Sequence, residues 1–174
     1  MLTQTMIPAW VDGTLQQVDK LEVHRRGLRH KAVSVFVTQG DHILLQRRAL
    51  GKYHTPGLWA NTCCTHPAWD EAADACARRR LAEELGLAGL AVLHAGQVEY
   101  RADVGQGLIE HELVDVFLAP TTIRPQLQPD PAEVADTRWL TVEALQADLE
   151  TRPEAYTPWL HIYISEHRAR IFGT

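Results

Sequence analysis

The most regular apolar pattern in the chain lies between positions 32 and 45. Residues 32–38 (AVSVFVT) and 42–45 (HILL) are short β-branched runs separated by Gln39-Gly40-Asp41, which predicts two strands joined by a tight connection. Further strand-like runs fall at 91–94, 97–101, 112–119 and 137–140, each bounded by Gly, Pro or Asp. Helices are expected at 70–85 with Gly86 as the stop, at 141–149 with Thr141 as N-cap, and at 158–171. Strands and helices mix without strict βαβ repetition, and there is no internal repeat or low-complexity tract. The stretch 120–131 carries four prolines and reads as an ordered loop. The expected fold class is α/β, a mixed sheet sandwiched between helices, in one domain over 1–174.

Composition narrows the classes. At 174 residues, 45% hydrophobic and 22% charged, the chain can bury one ordinary core and matches neither a disordered nor a fibrous class. A net charge of −5 offers no general attraction to nucleic acid or anionic membranes, so neither is an expected partner. The N-terminal MLTQTMIPAWVDG lacks the pattern of a secretory signal, and no apolar run approaches the roughly 18 residues that span a bilayer. Three cysteines (Cys63, Cys64, Cys76) form no disulfide framework, so the cytoplasm is the expected compartment. A monomer is expected, with dimerisation left open.

The segment EAADACARRRLAEELGL is rich in residues that lose little entropy in a helix. At 100° per residue Glu71, Asp74 and Arg78 share one face; Arg80 and Glu84 lie opposite, among Ala73, Cys76 and Ala77. Read alone, Arg80 and Glu84 describe an exposed ion pair contributing a few tenths of a kcal/mol. The alternative is a divalent cation on Glu84 and a phosphate on Arg80. Spacing leaves both open.

Two other places carry chemistry. In Asn61-Thr62-Cys63-Cys64-Thr65-His66-Pro67, Cys64 and His66 share a face if the chain is extended, which Pro67 favours at His66, and adjacent Cys63 must then point the other way. In Glu110-His111-Glu112 the strand period puts both carboxylates on the face of Val114 and Val116, and two such carboxylates repel unless one is protonated or a cation lies between them. Adding His24, His30 and His66 would make a three-His, two-Glu set suited to Zn²⁺, Mn²⁺ or Fe²⁺.

Glu71, Arg79, Leu81, Glu83, Glu84, Gly86 and Leu87 resemble in spacing the Nudix box, a loop-helix-loop that handles diphosphates with Mg²⁺. Thr65 stands where that box has its first Gly, and Arg80 where it has an acidic residue. The loss of that acid argues against diphosphate hydrolysis. A tighter resemblance, to the type 1 isopentenyl-diphosphate isomerase family of the Nudix fold, spans most of the chain. It rests on Lys20, HRRGLRHKA at 24–32, QRRAL at 46–50, Lys52, PGLW at 56–59, NTCCTHP at 61–67, residues 79–86, Tyr100-Arg101, Glu110 to Glu112 and Thr157-Pro158-Trp159.

That resemblance implies conversion of isopentenyl diphosphate to dimethylallyl diphosphate by moving a proton. It implies that His24, His30, His66, Glu110 and Glu112 ligate a divalent ion such as Mn²⁺ or Zn²⁺, and that Glu84 serves Mg²⁺ on the diphosphate. Cys64 and Glu112 would be the proton-transfer pair, with Tyr100 as a relay. Lys20, Arg48, Lys52 and Arg80 would hold the diphosphate, and Tyr100 and Trp159 would line the hydrocarbon pocket. No organic cofactor is expected, and no Gly-x-Gly-x-x-Gly fingerprint is present to bind one. The turn usually reads Cys-Gly-His-Pro, so Thr65 is a departure at a position where Gly allows conformations that Thr resists. The competing readings are a Nudix diphosphohydrolase and a metal-stabilised binding module without activity.

Overall fold

The computed structural model describes residues 5–173. Its backbone is a nine-stranded mixed sheet with helices on both faces. The first hairpin pairs β1 (Met6–Val11) with β2 (Thr14–Asp19), and α1 (Lys20–Arg26) follows, capped by Asp19 and closed by Gly27. Then come β3 (His30–Gln39), β4 (His42–Arg48), β5 (Trp59–Ala60), β6 (Cys63–Thr65) and α2 (Ala73–Leu85). The second half holds β7 (Leu93–Asp103), β8 (Ile109–Thr121), β9 (Val134–Thr141), α3 (Val142–Thr151), a 3₁₀ turn, α4 (Pro158–Glu166) and α5 (Arg168–Phe172).

β3 is the organising strand. It runs parallel to β8 from His30↔Glu112 to Gln39↔Thr121 and antiparallel to β6 through Ser34↔Cys64. Its side chains alternate strictly between two cores, as a strand covered on both faces must. Ala32 and Phe36 join a core with α3, α4 and α5, while Val33, Val35 and Val37 meet Cys76, Ala77, Leu81 and Leu85 of α2. Each fully buried Leu in these cores contributes about 1.5–3 kcal/mol.

The β3–β4 turn forms with Gly40 at φ +60 in its first position, as a two-residue hairpin of the II′ kind requires. Gly86 closes α2 at φ +70, and a Cβ there would lie 2.8 Å from the Gln128 Cβ. The proline-bearing loop is ordered by that approach: Gln128 N and Asp130 N donate to the Leu85 and Glu84 carbonyls at 2.8 and 2.9 Å.

Several expected boundaries move. α2 starts at Ala73 rather than at position 70, because Asp70 turns to φ +61 and Glu71 is drawn out of the helix. The Glu71 carboxylate instead accepts from Ala68 N at 2.8 Å and from Arg79 Nε at 2.7 Å, so it does not share a helix face with Asp74 and Arg78. The runs at 91–94 and 97–101 merge into one strand, β7, with an irregularity at Gly96 (φ +109). The helix expected over 158–171 breaks at His167, whose φ of −124 steps out of the helical region, leaving α4 and α5. Thr141 caps α3 as expected, accepting from Ala144 N at 3.1 Å.

Candidate active site

Strand register assembles most of the site. The β3–β8 pairing sets His30 beside Glu112, and the β7–β8 pairing sets Tyr100 opposite Glu112. Glu110, Glu112, Val114 and Val116 alternate to the buried side of β8. The short β6 delivers Cys64 to the same side, while Cys63 points into the α2 core with no exposure. Thr65 pairs with Val33 in ordinary extended backbone and is not among the residues at positive φ, so this strand accepts Thr where Gly was expected.

His24, His30, His66 and Glu110 bring their ligand atoms within 4.8 Å of one another. His24 Nδ1 donates to the Lys20 carbonyl at 2.6 Å and His30 Nδ1 to the Leu28 carbonyl at 2.8 Å. A carbonyl can only accept, so each contact places a hydrogen on Nδ1 and leaves Nε2 as the atom that takes up either a second proton or an ion. Those Nε2 atoms face carboxylate oxygens: His24 Nε2 lies 3.2 Å from Glu110 Oε1, and His30 Nε2 lies 3.4 Å from Glu110 Oε2 and 3.5 Å from Glu112 Oε1. His30 Nε2 and Glu110 Oε2 are buried without a hydrogen-bond partner. A buried imidazole nitrogen set against carboxylate oxygens calls for positive charge between them, a proton on His30 or a metal ion, and imidazole with carboxylate is a donor set for a divalent transition ion. The residues therefore fit a divalent metal.

Burial and proximity tune the neighbours. Burial opposes charge on His30, yet Glu110 and Glu112 hold its pKa up at about 10. Burial, then Glu110, pushes the Glu112 carboxyl up to about 7. Burial pushes the Cys64 thiol up to about 12. Its Sγ donates to Asn61 Oδ1 at 2.7 Å, and the Asn61 amide is oriented by the carbonyls of Val35 and Cys63, both 3.1 Å away. Tyr100 donates its hydroxyl to Glu112 Oε2 at 2.7 Å, and His66 Nε2 lies 3.2 Å from Glu112 Oε1.

These groups open on a cavity of about 40 Å³ walled by Cys64, His66, Tyr100, Glu110, Glu112 and Trp159. Lys20, Arg48, Lys52 and Arg80 line the same cavity. A wider mouth of about 360 Å³ shares Lys20, Thr65, His66 and Arg80. Burial, followed by the neighbouring Lys52, brings Lys20 down to about 8, and a bound anion would favour its charged form. Trp159 is held by the start of α4, where Thr157 N donates to the Trp59 carbonyl at 2.9 Å, and its ring lies 5.4 Å from the Arg48 guanidinium.

Glu84 stands apart from the cluster. It is buried, not on an exposed face, and its oxygens accept from Arg80 Nη2 at 2.7 Å and Gln46 Nε2 at 3.0 Å. Sequence reasoning missed three participants. His54 is buried with Nε2 2.8 Å from Glu110 Oε1; Tyr53 places its hydroxyl 3.3 Å from His24 Nε2; Glu133 pairs with Lys52 and lies 3.5 Å from Arg80. All three sit in irregular segments or at a strand edge, where no periodicity points to a partner. The nearest signal was the crowding of His and Tyr between Lys52 and Pro56.

Comparison with known proteins agrees with this geometry. The NUDIX domain model matches residues 28–160. The Isopentenyl-diphosphate Delta-isomerase of Rhodobacter capsulatus is 62% identical over 173 residues, covering 98% of this chain and 97% of that protein. Its counterpart in Dinoroseobacter shibae is 61% identical over 169 residues, covering 97% and 96%. Among solved structures, DR0079 from Deinococcus radiodurans superposes with a TM-score of 0.74 at 14% identity, over 97% of this chain and 99% of that one, a likeness of fold alone. Among the described residues no helix is long and apolar enough to cross a membrane. A chain whose NUDIX scaffold buries a His/Glu cluster beneath a thiol and a rim of cations, and which shares about three-fifths of its residues with these relatives over nearly its full length, belongs to the isopentenyl-diphosphate Delta-isomerase family of NUDIX-domain proteins.

Proposed function

We propose that the chain isomerises isopentenyl diphosphate to dimethylallyl diphosphate, with Cys64 and Glu112 as the proton-transfer pair. The observation that carries this reading is that the Cys64 thiol, fixed by Asn61, and the Glu112 carboxyl, held by Tyr100, face one small cavity that Lys20, Arg48, Lys52 and Arg80 also line. Isomerisation adds a proton at the terminal alkene carbon and removes one from the carbon across the resulting tertiary centre. An alkene is a very poor base, so the acid must be held in place away from competing water. Asn61 fixes the Cys64 sulfur, and Tyr100 holds Glu112 and can pass a proton to Oε2.

Lys20, Arg48, Lys52 and Arg80 hold the diphosphate, which lets the tail position a hydrocarbon that offers little else to grip. Trp159 and Tyr100 wall the hydrocarbon, and the indole face suits the developing positive charge, a contact of roughly 0.5–2 kcal/mol. His24, His30, His66, Glu110 and Glu112 would hold a divalent ion such as Mn²⁺ or Zn²⁺. When bound, that ion supplies positive charge that fixes the carboxylates and tunes Glu112. Glu84 would serve the Mg²⁺ that arrives with the diphosphate, through the Oε1 it now shares with Arg80 of the cavity wall, since Mg²⁺ takes carboxylate oxygens. The test is turnover of isopentenyl diphosphate with free phosphate measured alongside. Dimethylallyl diphosphate without phosphate release supports the reading, and phosphate release points to a diphosphohydrolase.

A further inference from the structure

We propose that His54 is a positioning residue for Glu110, a fourth imidazole that tethers the carboxylate from outside the metal-ligand set and so tightens the cation site. This rests on the reading of the His/Glu cluster as that site. The His54 ring is buried, and its Nε2 lies 2.8 Å from Glu110 Oε1, closer than His24 or His30 comes to either Glu110 oxygen (3.2 and 3.4 Å).

Hydrogen placement separates His54 from the other imidazoles. His24 and His30 give their Nδ1 hydrogens to backbone carbonyls and so are set to ligate an ion through Nε2, which faces the carboxylates. His54 Nδ1 faces the Thr55 hydroxyl at 3.0 Å. The hydroxyl, unlike a carbonyl, does not require a hydrogen on Nδ1, and a carboxylate oxygen can only accept, so the 2.8 Å contact puts the His54 hydrogen on Nε2, given to Glu110 Oε1. Its role is therefore that of an outer hydrogen-bond partner that orients a ligating carboxylate. Glu110 Oε1 is held, and the unpartnered Oε2 is presented beside His30.

The backbone around His54 is built for this. Thr55 adopts φ +46, an outlier for a β-branched residue. Such conformations persist where the surroundings over-determine them. Here Arg48 Nη2 donates to the His54 carbonyl at 3.2 Å, and Gly57 N and Arg48 N close the segment through bonds of 3.0 and 2.9 Å. The His54 ring also meets Trp159 in a T-shaped contact at 5.8 Å between centroids, so the same side chain joins the cation site to the hydrocarbon wall.

The test is Mn²⁺ affinity, read by electron paramagnetic resonance on the full chain with Mn²⁺ alone, for the unsubstituted protein, His54→Phe and His54→Gln. Phenylalanine keeps the ring and its contact with Trp159 but cannot donate, and affinity should fall about 10–100-fold. Glutamine can place an amide N–H where His54 Nε2 stands and should restore most of the loss, which a merely space-filling role would not allow. Unchanged affinity in His54→Phe, or equal loss in both variants, overturns the inference alone. Absence of Mn²⁺ binding by the unsubstituted chain overturns it together with the cation-site reading. If His54→Phe does not fold, Thr55→Val decides: it keeps the shape and removes the hydroxyl that anchors His54 Nδ1, so weaker Mn²⁺ binding supports the inference and unchanged binding overturns it.

Discussion

Stripping the divalent ion should lower the melting temperature by an amount the cluster itself sets. His30 Nε2 and Glu110 Oε2 are buried, unpartnered and 3.4 Å apart. Each buried polar atom left unsatisfied costs about 1–3 kcal/mol, so an ion that satisfies both is worth about 2–6 kcal/mol. A proton on His30 recovers part of that in the metal-free protein, because Glu110 and Glu112 favour the charged ring with a pKa of about 10. The net loss should therefore sit near about 2–3 kcal/mol. For a chain of this size each kcal/mol moves the melting temperature by about 2–4 °C, giving an expected drop of about 4–12 °C. The assay is calorimetry on chelator-treated protein, before and after reloading with Mn²⁺ or Zn²⁺. Glu110→Gln is the parallel sample, and in it the reloading shift should collapse. A melting temperature indifferent to chelation, or a reloading shift equally large in Glu110→Gln, would refute the reasoning.

Other expectations follow from the same contacts. Cys64→Ala should lower turnover by about 10²–10⁴-fold, the usual worth of a placed proton donor or acceptor; Cys63→Ala, which alters only the α2 core, should keep activity, and equal losses would show that the wrong thiol has been assigned. The Glu71 carboxyl is held down to about 2 by its hydrogen bonds from Arg79. Its folded-state value lies below the unfolded one, so its stabilisation is present above about pH 4.5 and fades as pH falls toward 2. Melting curves from pH 6 to pH 2 should therefore converge for the parent and Glu71→Gln, and a gap that stays constant with pH would sink the assignment.

What could be read from the residues tracks how strongly each element is patterned. β3 and β4 were visible because burial on both faces demands unbroken apolar runs, and the Glu110/Glu112 face followed from strand alternation. The β1–β2 hairpin escaped because β2 (TLQQVD) is a polar edge strand with no fully buried position. α1 escaped because it spans Lys20–Arg26 and buries only Val23 and His24, so its basic surface dominates the sequence signal. Whether Glu84 is exposed stayed open because helix spacing gives a face but not what covers it, and here the covering comes from Gln46 on β4 and the loop over Gly86. His54 had no periodicity to reveal it: its partner Glu110 lies on another element, and only the folded path of the 49–58 segment joins them.

The most direct test of the central claim is proton NMR of the purified protein with isopentenyl diphosphate, Mg²⁺ and deuterated water. The account predicts dimethylallyl diphosphate carrying deuterium at the newly formed methyl group, with the diphosphate intact. Free phosphate, or an unchanged spectrum from folded and metal-loaded protein, would contradict it.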